Sequence, residues 1–436
     1  MLPARGKKLL IAIAMTLPAV FTFYYVYKFG LRVPYYDQWE IVPQLEKMYN
    51  HTLTLADVWR QHNEHRLFFP KSLMFFLAWL SNWNLFFELC ANMVIAAFTF
   101  LFLLSILCST TKTASFWLKM FFSLMVFSMV QWENWSWGWQ MQIFLSVLGS
   151  VIAIWAANKW RGRAIGLAAV IAGAVLSSYS FNTGLVTWPA VLVVMLLQKE
   201  WKRKHIMILL LASAVTILLY YYDYAKCPSH SFLFFFIKHP FLYARYVLTY
   251  LGASLGRTYY FAPITAMIIL ALISRAIINI WRFDKQKLRE LAPWLALALY
   301  ACMAACITGV GRTVNGWPQA FASRYTTISI FLPLSTAVLL WHSIKLNRTT
   351  NKKKRLRNLL FTVAIAAIFV ILYISSCFAG LKDMKIQSRR VNGAAFCLTH
   401  PEAVNDQFLT RLYPDPNVIR PRIKVLSDMG IKFSGH

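Results

Sequence analysis

Long apolar runs with few or no charges dominate this chain and leave it few folds to choose from. A helix needs about 20 predominantly apolar residues to cross a hydrocarbon core of ~30 Å. The runs Leu9–Phe29, Leu85–Cys108, Ala114–Val130, Met141–Ala157, Ala164–Leu176, Leu185–Leu197, Ile206–Tyr222, Ala262–Ile280, Leu291–Val310, Tyr325–Trp341 and Leu359–Phe378 approach or meet that length. They predict an all-α integral membrane protein with about eleven transmembrane helices. Weak alternation argues against an outer-membrane barrel, whose strands would read as short alternating segments.

Composition agrees. Of 436 residues, 58% are hydrophobic and only 14% charged, against about a quarter charged in a soluble domain. The formal charge of +29 would suggest nucleic acid in a soluble chain. Here much of the Lys and Arg sits in short loops, where it sets membrane orientation, so nucleic acid is excluded as a partner. The first run follows Arg5, Lys7 and Lys8 and lacks a small-x-small cleavage site before Arg32. It reads as an uncleaved anchor with a cytoplasmic N-terminus.

Basic loops at Lys159–Arg163, Lys199–Lys204, Arg282–Arg289 and Lys352–Arg357 alternate with the segments 131–140 and 177–184, which hold no Lys or Arg. This asymmetry fixes the count of spans. It leaves Leu67–Ser81 and Phe241–Gly256 as interfacial or re-entrant helices, since a further full span would invert every later loop. The expected organisation is a polytopic domain over 1–378, with an outer loop at 30–83, and an outer C-terminal tail over 379–436. The tail's mixed polar composition, punctuated by Pro414, Pro416 and Pro421, suggests a small ordered appendage.

Seven cysteines show no metal-ligand spacing. Cys90, Cys108, Cys302, Cys306 and Cys377 fall in or at apolar runs and read as small packing residues. Cys227 and Cys397 fall on outer loops and could pair in an oxidising compartment.

Only sixteen residues are acidic, and five of them lie in the first outer loop: Asp37, Glu40, Glu46, Asp57 and Glu64. Asp37 and Glu40 occur in Tyr-Tyr-Asp-Gln-Trp-Glu. A carboxylate held at a membrane surface beside Tyr36 and Trp39 can act as a base; the alternative is an interfacial loop with aromatic anchors. Thr54 and Asp57 have the spacing of a capping box. Gln61-His62-Asn63-Glu64-His65-Arg66 gathers two imidazoles, a carboxylate and a guanidinium. Arg66 would bind a phosphate there, and Asn63 and Glu64 would position a sugar. The alternative is a polar cap on the following helix. No second-helix partner completes a metal set, so no metal or other cofactor is expected.

The second outer segment carries Trp132, Trp135, Trp137 and Trp139, with Gln131, Glu133, Asn134 and Gln140. Flat rings suit the apolar faces of sugars and amides suit their hydroxyls; the alternative is a Trp-rich interfacial turn. In the third, Arg312 closes one span and Arg324, next to Tyr325, opens another. Two converging arginines can clamp an anionic phosphate or simply snorkel to headgroups.

This layout of a cytoplasmic N-terminus, one span and a long outer loop that begins with an acidic motif resembles the GT-C superfamily of membrane glycosyltransferases. Size and tail are most similar to the bacterial O-antigen-modifying glucosyltransferases of serotype-conversion clusters. The resemblance implies a bacterial inner-membrane enzyme acting at the periplasmic face. It would move a hexose from an undecaprenyl-phosphate-linked donor to a cell-envelope glycan such as the O-antigen of lipopolysaccharide, with inversion. Asp37 matches the first-loop acid, with Glu40 its neighbour; Glu133 matches the second-loop acid; Arg312 or Arg324 matches the phosphate-contacting arginine. No Asp-x-Asp occurs in either loop, which points to a metal-independent site. A donor-synthesising glycosyltransferase and a flippase would act upstream. The competing readings are a flippase or transporter of lipid-linked sugar, an O-antigen polymerase or ligase, and a non-enzymatic scaffold. Against transport, no acid sits in the middle of a span; Glu88 lies near a span end.

Overall fold

The computed structural model describes residues 4–112, 114–225, 234–258, 260–346, 352–398, 405–431 and 433. These residues form helices and connecting turns, with no β-strand among them. The helices of ten residues or more are, in chain order, α1 (Ala4–Phe29), α2 (Phe68–Ser81), α3 (Phe86–Thr110), α4 (Phe116–Val126), α5 (Met141–Lys159), α6 (Ala164–Ser178), α7 (Thr187–Leu197), α8 (Arg203–Tyr221), α9 (Pro240–Gly252), α10 (Phe261–Phe283), α11 (Ala292–Arg312), α12 (Phe331–Leu346), α13 (Lys352–Asn392) and α14 (Pro416–Asp428).

Eight helical segments are long and apolar enough to cross a membrane: Leu10–Phe29, Phe86–Thr110, Gly138–Lys159, Arg203–Tyr221, Phe261–Phe283, Ala292–Asn315, Ser323–Leu346 and Ala364–Asn392. Each matches an expected span. The other three expected spans correspond to α4, α6 and α7, of 11, 15 and 11 residues. At 1.5 Å per residue these reach only ~16 to ~23 Å, so the structure supports a multi-pass helical membrane protein but not the count of eleven. The segments expected to be interfacial or re-entrant form α2 and α9, likewise short, at 14 and 13 residues.

The bundle is held by small residues where helices cross. A Cβ on Gly149 of α5 would stand 2.6 Å from the Gly173 carbonyl oxygen of α6, so the absence of side chains lets the two backbones touch. Hydroxyls join at the same crossing: Ser150 Oγ lies 2.8 Å from Ser177 Oγ and 2.7 Å from Thr187 Oγ1, and Ser177 Oγ donates to the Ser146 carbonyl at 2.8 Å. In hydrocarbon, close approach and buried hydroxyl pairs take over the work that apolar burial does in water. Phe98, Leu101, Leu211, Leu218 and Ile371 point outward from the bundle, as lipid-facing positions should. Cys90, Cys302 and Cys377 are half-buried, but Cys108 and Cys306 also face outward rather than packing inside. Cys227 lies outside the described residues, as does the side chain of Cys397.

The two ends of the bundle are chemically distinct. At one end, Arg161 pairs with Glu200 at 3.5 Å, and Lys287 donates to the Thr110 carbonyl at 2.9 Å and pairs with Glu290 at 2.9 Å. The basic loops at 159–163, 199–204 and 282–289 meet there. The three outer segments read from sequence meet at the opposite end.

The expected boundary at 379 falls inside a helix. Helix α13 runs on without a break to Asn392, because Gly380, Met384, Ser388 and Val391 continue a buried stripe at helical spacing. Gly380 lies hard against the Met129 carbonyl, where a Cβ would clash. The ordered appendage begins later. In it Asp415 caps α14 through Asn417 N–H at 2.9 Å, and Pro416 takes the first helical position, where a missing N–H costs nothing. Its Leu409, Leu412, Ile419, Ile423 and Leu426 are buried, and the Leu412 carbonyl accepts from Tyr36 N–H at 2.8 Å. Tail and first loop therefore form one cap over this end.

Candidate functional site

The first loop presents Asp37 by burying its neighbours. Tyr36 adopts φ +46°, an unusual value for a bulky residue, and starts a 3₁₀ turn over Tyr36–Ile41. Gln38 and Trp39 turn inward. Trp39 is fully buried with its indole N–H on the Pro34 carbonyl at 2.9 Å, so it is a core residue rather than an interfacial anchor. Gln38 donates to Glu88 at 2.7 Å and accepts from Trp137 Nε1 at 2.9 Å. Glu88 also accepts from Trp83 at 3.3 Å and sits against Gly138, where a Cβ would strike its carboxylate. Fixed this way, the turn leaves the Asp37 carboxylate at the surface, 37% exposed, with His62 Nε2 at 3.8 Å.

Glu40 is different. It accepts from the Tyr413 hydroxyl and from Arg422 at 3.1 Å, both in the appendage. Partial burial pushes its pKa up, but the Arg422 and Tyr413 hydrogen bonds outweigh this and hold it below the ordinary carboxylate value. Glu40, expected beside Asp37 as a catalytic acid, has its carboxylate held by two side chains of the tail.

The expected capping box is formed, with Asp57 N–H on Thr54 Oγ1 at 3.3 Å and Thr54 N–H on Asp57 Oδ2 at 3.0 Å. After it, His62 and His65 exchange two main-chain hydrogen bonds of 2.9 Å around Asn63 at φ +48°. This is a tight turn and not a cap on α2, whose N-cap residue Leu67 offers no side-chain bond. The turn splays its side chains apart. Asn63 is exposed. Glu64 is buried and pairs with Arg312. His65 stacks on Phe181 at 4.2 Å and accepts the Asn182 N–H on Nδ1 at 3.3 Å. That bond assigns the proton to Nε2, which faces Glu64 at 3.6 Å. Burial pulls the pKa of His65 down to about 4, against the Glu64 charge, so the ring is neutral near pH 7. Arg66 points away: Nε donates to the Tyr220 carbonyl at 3.0 Å, Nη1 to Trp59 at 3.3 Å, and Nη2 to Tyr222. It caps the C-terminus of α8, and its expected phosphate contact is corrected, since its fork is occupied by carbonyls.

The tryptophan segment is also corrected as a sugar platform. Trp135, Trp137 and Trp139 are at most 5% exposed. Trp135 donates to the Ser128 carbonyl at 2.8 Å and packs on Phe144; Trp132 lies against Gly380. Trp139 packs edge-on to His62 at 5.0 Å, and Trp132 is the one ring of the four that is only partly buried. The amides are likewise structural: Asn134 donates to the Arg324 carbonyl at 3.0 Å, Gln131 accepts from Thr327, and Gln140 is buried. Glu133 meets Arg324 Nη1 at 2.7 Å and its N–H bonds Ser323 Oγ at 3.0 Å. It holds Arg324 in place. Tyr325 is buried and stacks on Tyr250 at 4.9 Å, so it supports the site from behind.

Arg312 and Arg324 thus each spend part of a guanidinium on an acid, Glu64 or Glu133, while remaining 27% and 32% exposed. A guanidinium carries five N–H donors, and the remaining ones are available to an anion. The region combines one exposed carboxylate, Asp37, two oriented arginines, and the imidazoles of His62 and His65. It can take a proton at Asp37 and hold an anionic oxygen at the arginines. Among the described residues, no three His, Cys, Asp or Glu side chains converge as a metal-binding set.

Sequence reasoning missed Arg257, Phe181 and Tyr220. Arg257 follows α9, bonds Ser376 Oγ through its N–H at 2.9 Å, and pairs with Asp383 at 3.2 Å. Burial lowers its pKa while the charges of Asp383 and Glu133 oppose that shift, which places it beside the same acidic strut. Its sequence signal was a lone Arg after Leu-Gly at a short helix end. Phe181 lies in the uncharged loop 177–184 and carries no such mark.

No protein-family model, no curated protein and no solved structure matches this chain.

Proposed function

We propose that this protein is a membrane glycosyltransferase. It would move a hexose from an undecaprenyl-phosphate-linked donor to a hydroxyl of a cell-envelope glycan such as O-antigen, on the periplasmic face of a bacterial inner membrane. The observation that carries this reading is the separation of Asp37 from every arginine. Around the two arginines it is the carboxylate not bound to a guanidinium, while Glu40, Glu64 and Glu133 each are. A base must be reachable, and not neutralised by a permanently charged guanidinium, before it must be anything else.

In this reading Asp37 accepts the proton of the acceptor hydroxyl. That oxygen attacks the anomeric carbon as the bond to the lipid phosphate breaks, inverting the centre. The phosphate departs with the electron pair, and Arg312 and Arg324 stabilise its charge. Glu64 and Glu133 aim those arginines, and His62 orients Asp37. Fixed donors of this kind need no reorganisation during the reaction, which is their advantage over water.

The test is glycan mass spectrometry of lipopolysaccharide from cells with and without the gene, and with Asp37→Asn. The reading expects one added hexose per repeat, lost in the variant at equal expression. An unchanged glycan with transbilayer movement of lipid-linked sugar would replace it with the flippase reading.

A further inference from the structure

A second cationic feature lies apart from the Asp37–Arg324 region, where the end of α1 meets the end of α13. A cavity of about 330 Å³ opens there, lined among others by Tyr27, Lys28, Gly30, Arg32, Arg389 and Asn392. Its floor is fixed. Asn392 donates to the Gly30 carbonyl at 3.1 Å and accepts Arg32 N–H at 2.9 Å, joining the two helix ends. The Arg32 guanidinium lies 3.9 Å over the Phe86 ring and donates to the Tyr27 carbonyl at 2.8 Å.

The charge there is unbalanced. Two helix C-termini meet at the cavity, together worth about one negative charge. Lys28, Arg32 and Arg389 bring three positive ones, and none has a carboxylate within ion-pairing distance among the described residues. Lys385 and Arg390 stand on the same face of α13 or beside it, also without ion pairs. Snorkelling would explain one such cation at a membrane boundary. It does not explain three around a single rigid cavity with a surplus of about two charges. The second half of a recognition pattern lies alongside: Tyr24 and Tyr27 on α1 are 53% and 63% exposed, and Tyr27 stands edge-on to Phe86 at 5.9 Å.

We propose that this cavity binds the phosphate headgroup of an anionic membrane lipid, with the lipid's chains lying along the exposed aromatic face of α1. Lys28 and Arg389 are the cations that contact the phosphate. Arg32 forms the base and holds the two helix ends at the right separation. The site is independent of the proposed transferase chemistry, since none of its lining residues belongs to that group.

The full chain in nanodiscs of phosphatidylcholine doped with phosphatidylglycerol provides the test, with retained lipid counted by native mass spectrometry. The expected result is enrichment of phosphatidylglycerol on the protein by roughly thirtyfold, given about 1 kcal/mol for each of the two contacting cations. The double variant Lys28→Gln, Arg389→Gln should bring that ratio close to unity. Arg32 is left intact because its bonds are structural. The double variant Lys202→Gln, Arg203→Gln, at the other end of the bundle, should leave the enrichment in place. No enrichment in the parent protein, or enrichment that survives loss of Lys28 and Arg389, overturns the proposal. Displacement of the retained lipid by inorganic phosphate alone also overturns it, by making the site one for a free anion.

Discussion

Arg324 Nη1 lies 2.7 Å from Glu133 Oε1, joining two polar segments separated by 191 positions. The Arg324 main-chain N–H also reaches Glu133 Oε2 at 3.4 Å, and the Arg324 carbonyl accepts from Asn134. The pair is thus part of a mutual staple between the tryptophan segment and the start of the span leading into α12.

Glu133→Gln should destabilise the protein, because Arg324 loses its counter-charge while two-thirds enclosed. The expected cost is about 1–3 kcal/mol, below the ~3–5 kcal/mol of a fully buried pair broken on one side. Thermal unfolding in detergent of Glu133→Gln, Arg324→Gln and the double variant checks it. Strictly additive single effects would show that the pair is not coupled.

Glu40 and Asp37 should separate cleanly. Glu40→Gln removes the charge that Arg422 and Tyr413 bind, so the appendage should loosen and become more sensitive to limited proteolysis within 405–431. Asp37→Asn breaks no ion pair with an arginine or lysine and should leave both proteolysis and thermal stability within about 0.5 kcal/mol of the parent. If Asp37→Asn instead releases the tail, the division of labour between the two acids is wrong.

His65 should make stability fall at acid pH. Its folded pKa is about 4, against 6.5 for the free side chain. An unfolded chain therefore binds a proton below pH 6.5 that the folded one refuses, and stability is lost as pH drops from about 6.5 towards 4. The difference across that window is roughly 3 kcal/mol. Unfolding midpoints from pH 4 to 7 should show this slope, and His65→Gln should flatten it.

At the crossing of α5 and α6, Gly149→Leu should be among the most damaging single changes in the bundle. The new Cβ meets backbone on two sides, the Gly173 carbonyl oxygen and Ser177 N, each at 2.6 Å. Backbone cannot step aside as a side chain can, so a loss of about 3 kcal/mol or more is expected. Gly430, which has nothing within 4 Å, is the contrasting position for Ser: only its φ of +70° should cost, at about 1 kcal/mol.

Sequence alone determined the solvent this protein folds in and the order of its long helices. Apolar length and charge-poor runs are one-dimensional properties, and bilayer thickness converts them directly into spans. The grouping of basic loops at one end and of the three polar segments at the other was legible for the same reason. The extension of α13 could also have been read, from the spacing of Gly380, Met384, Ser388 and Val391. What sequence could not decide was which charged groups are open. Asp37 and Glu40 lie three residues apart in one motif, yet one faces solvent and the other is locked by Tyr413 and Arg422. Arg66 and Arg312 both read as phosphate ligands, but the structure gives Arg66 the carbonyls at the end of α8. Pairing and desolvation depend on neighbours drawn from distant parts of the chain, and only the tertiary structure brings those neighbours together.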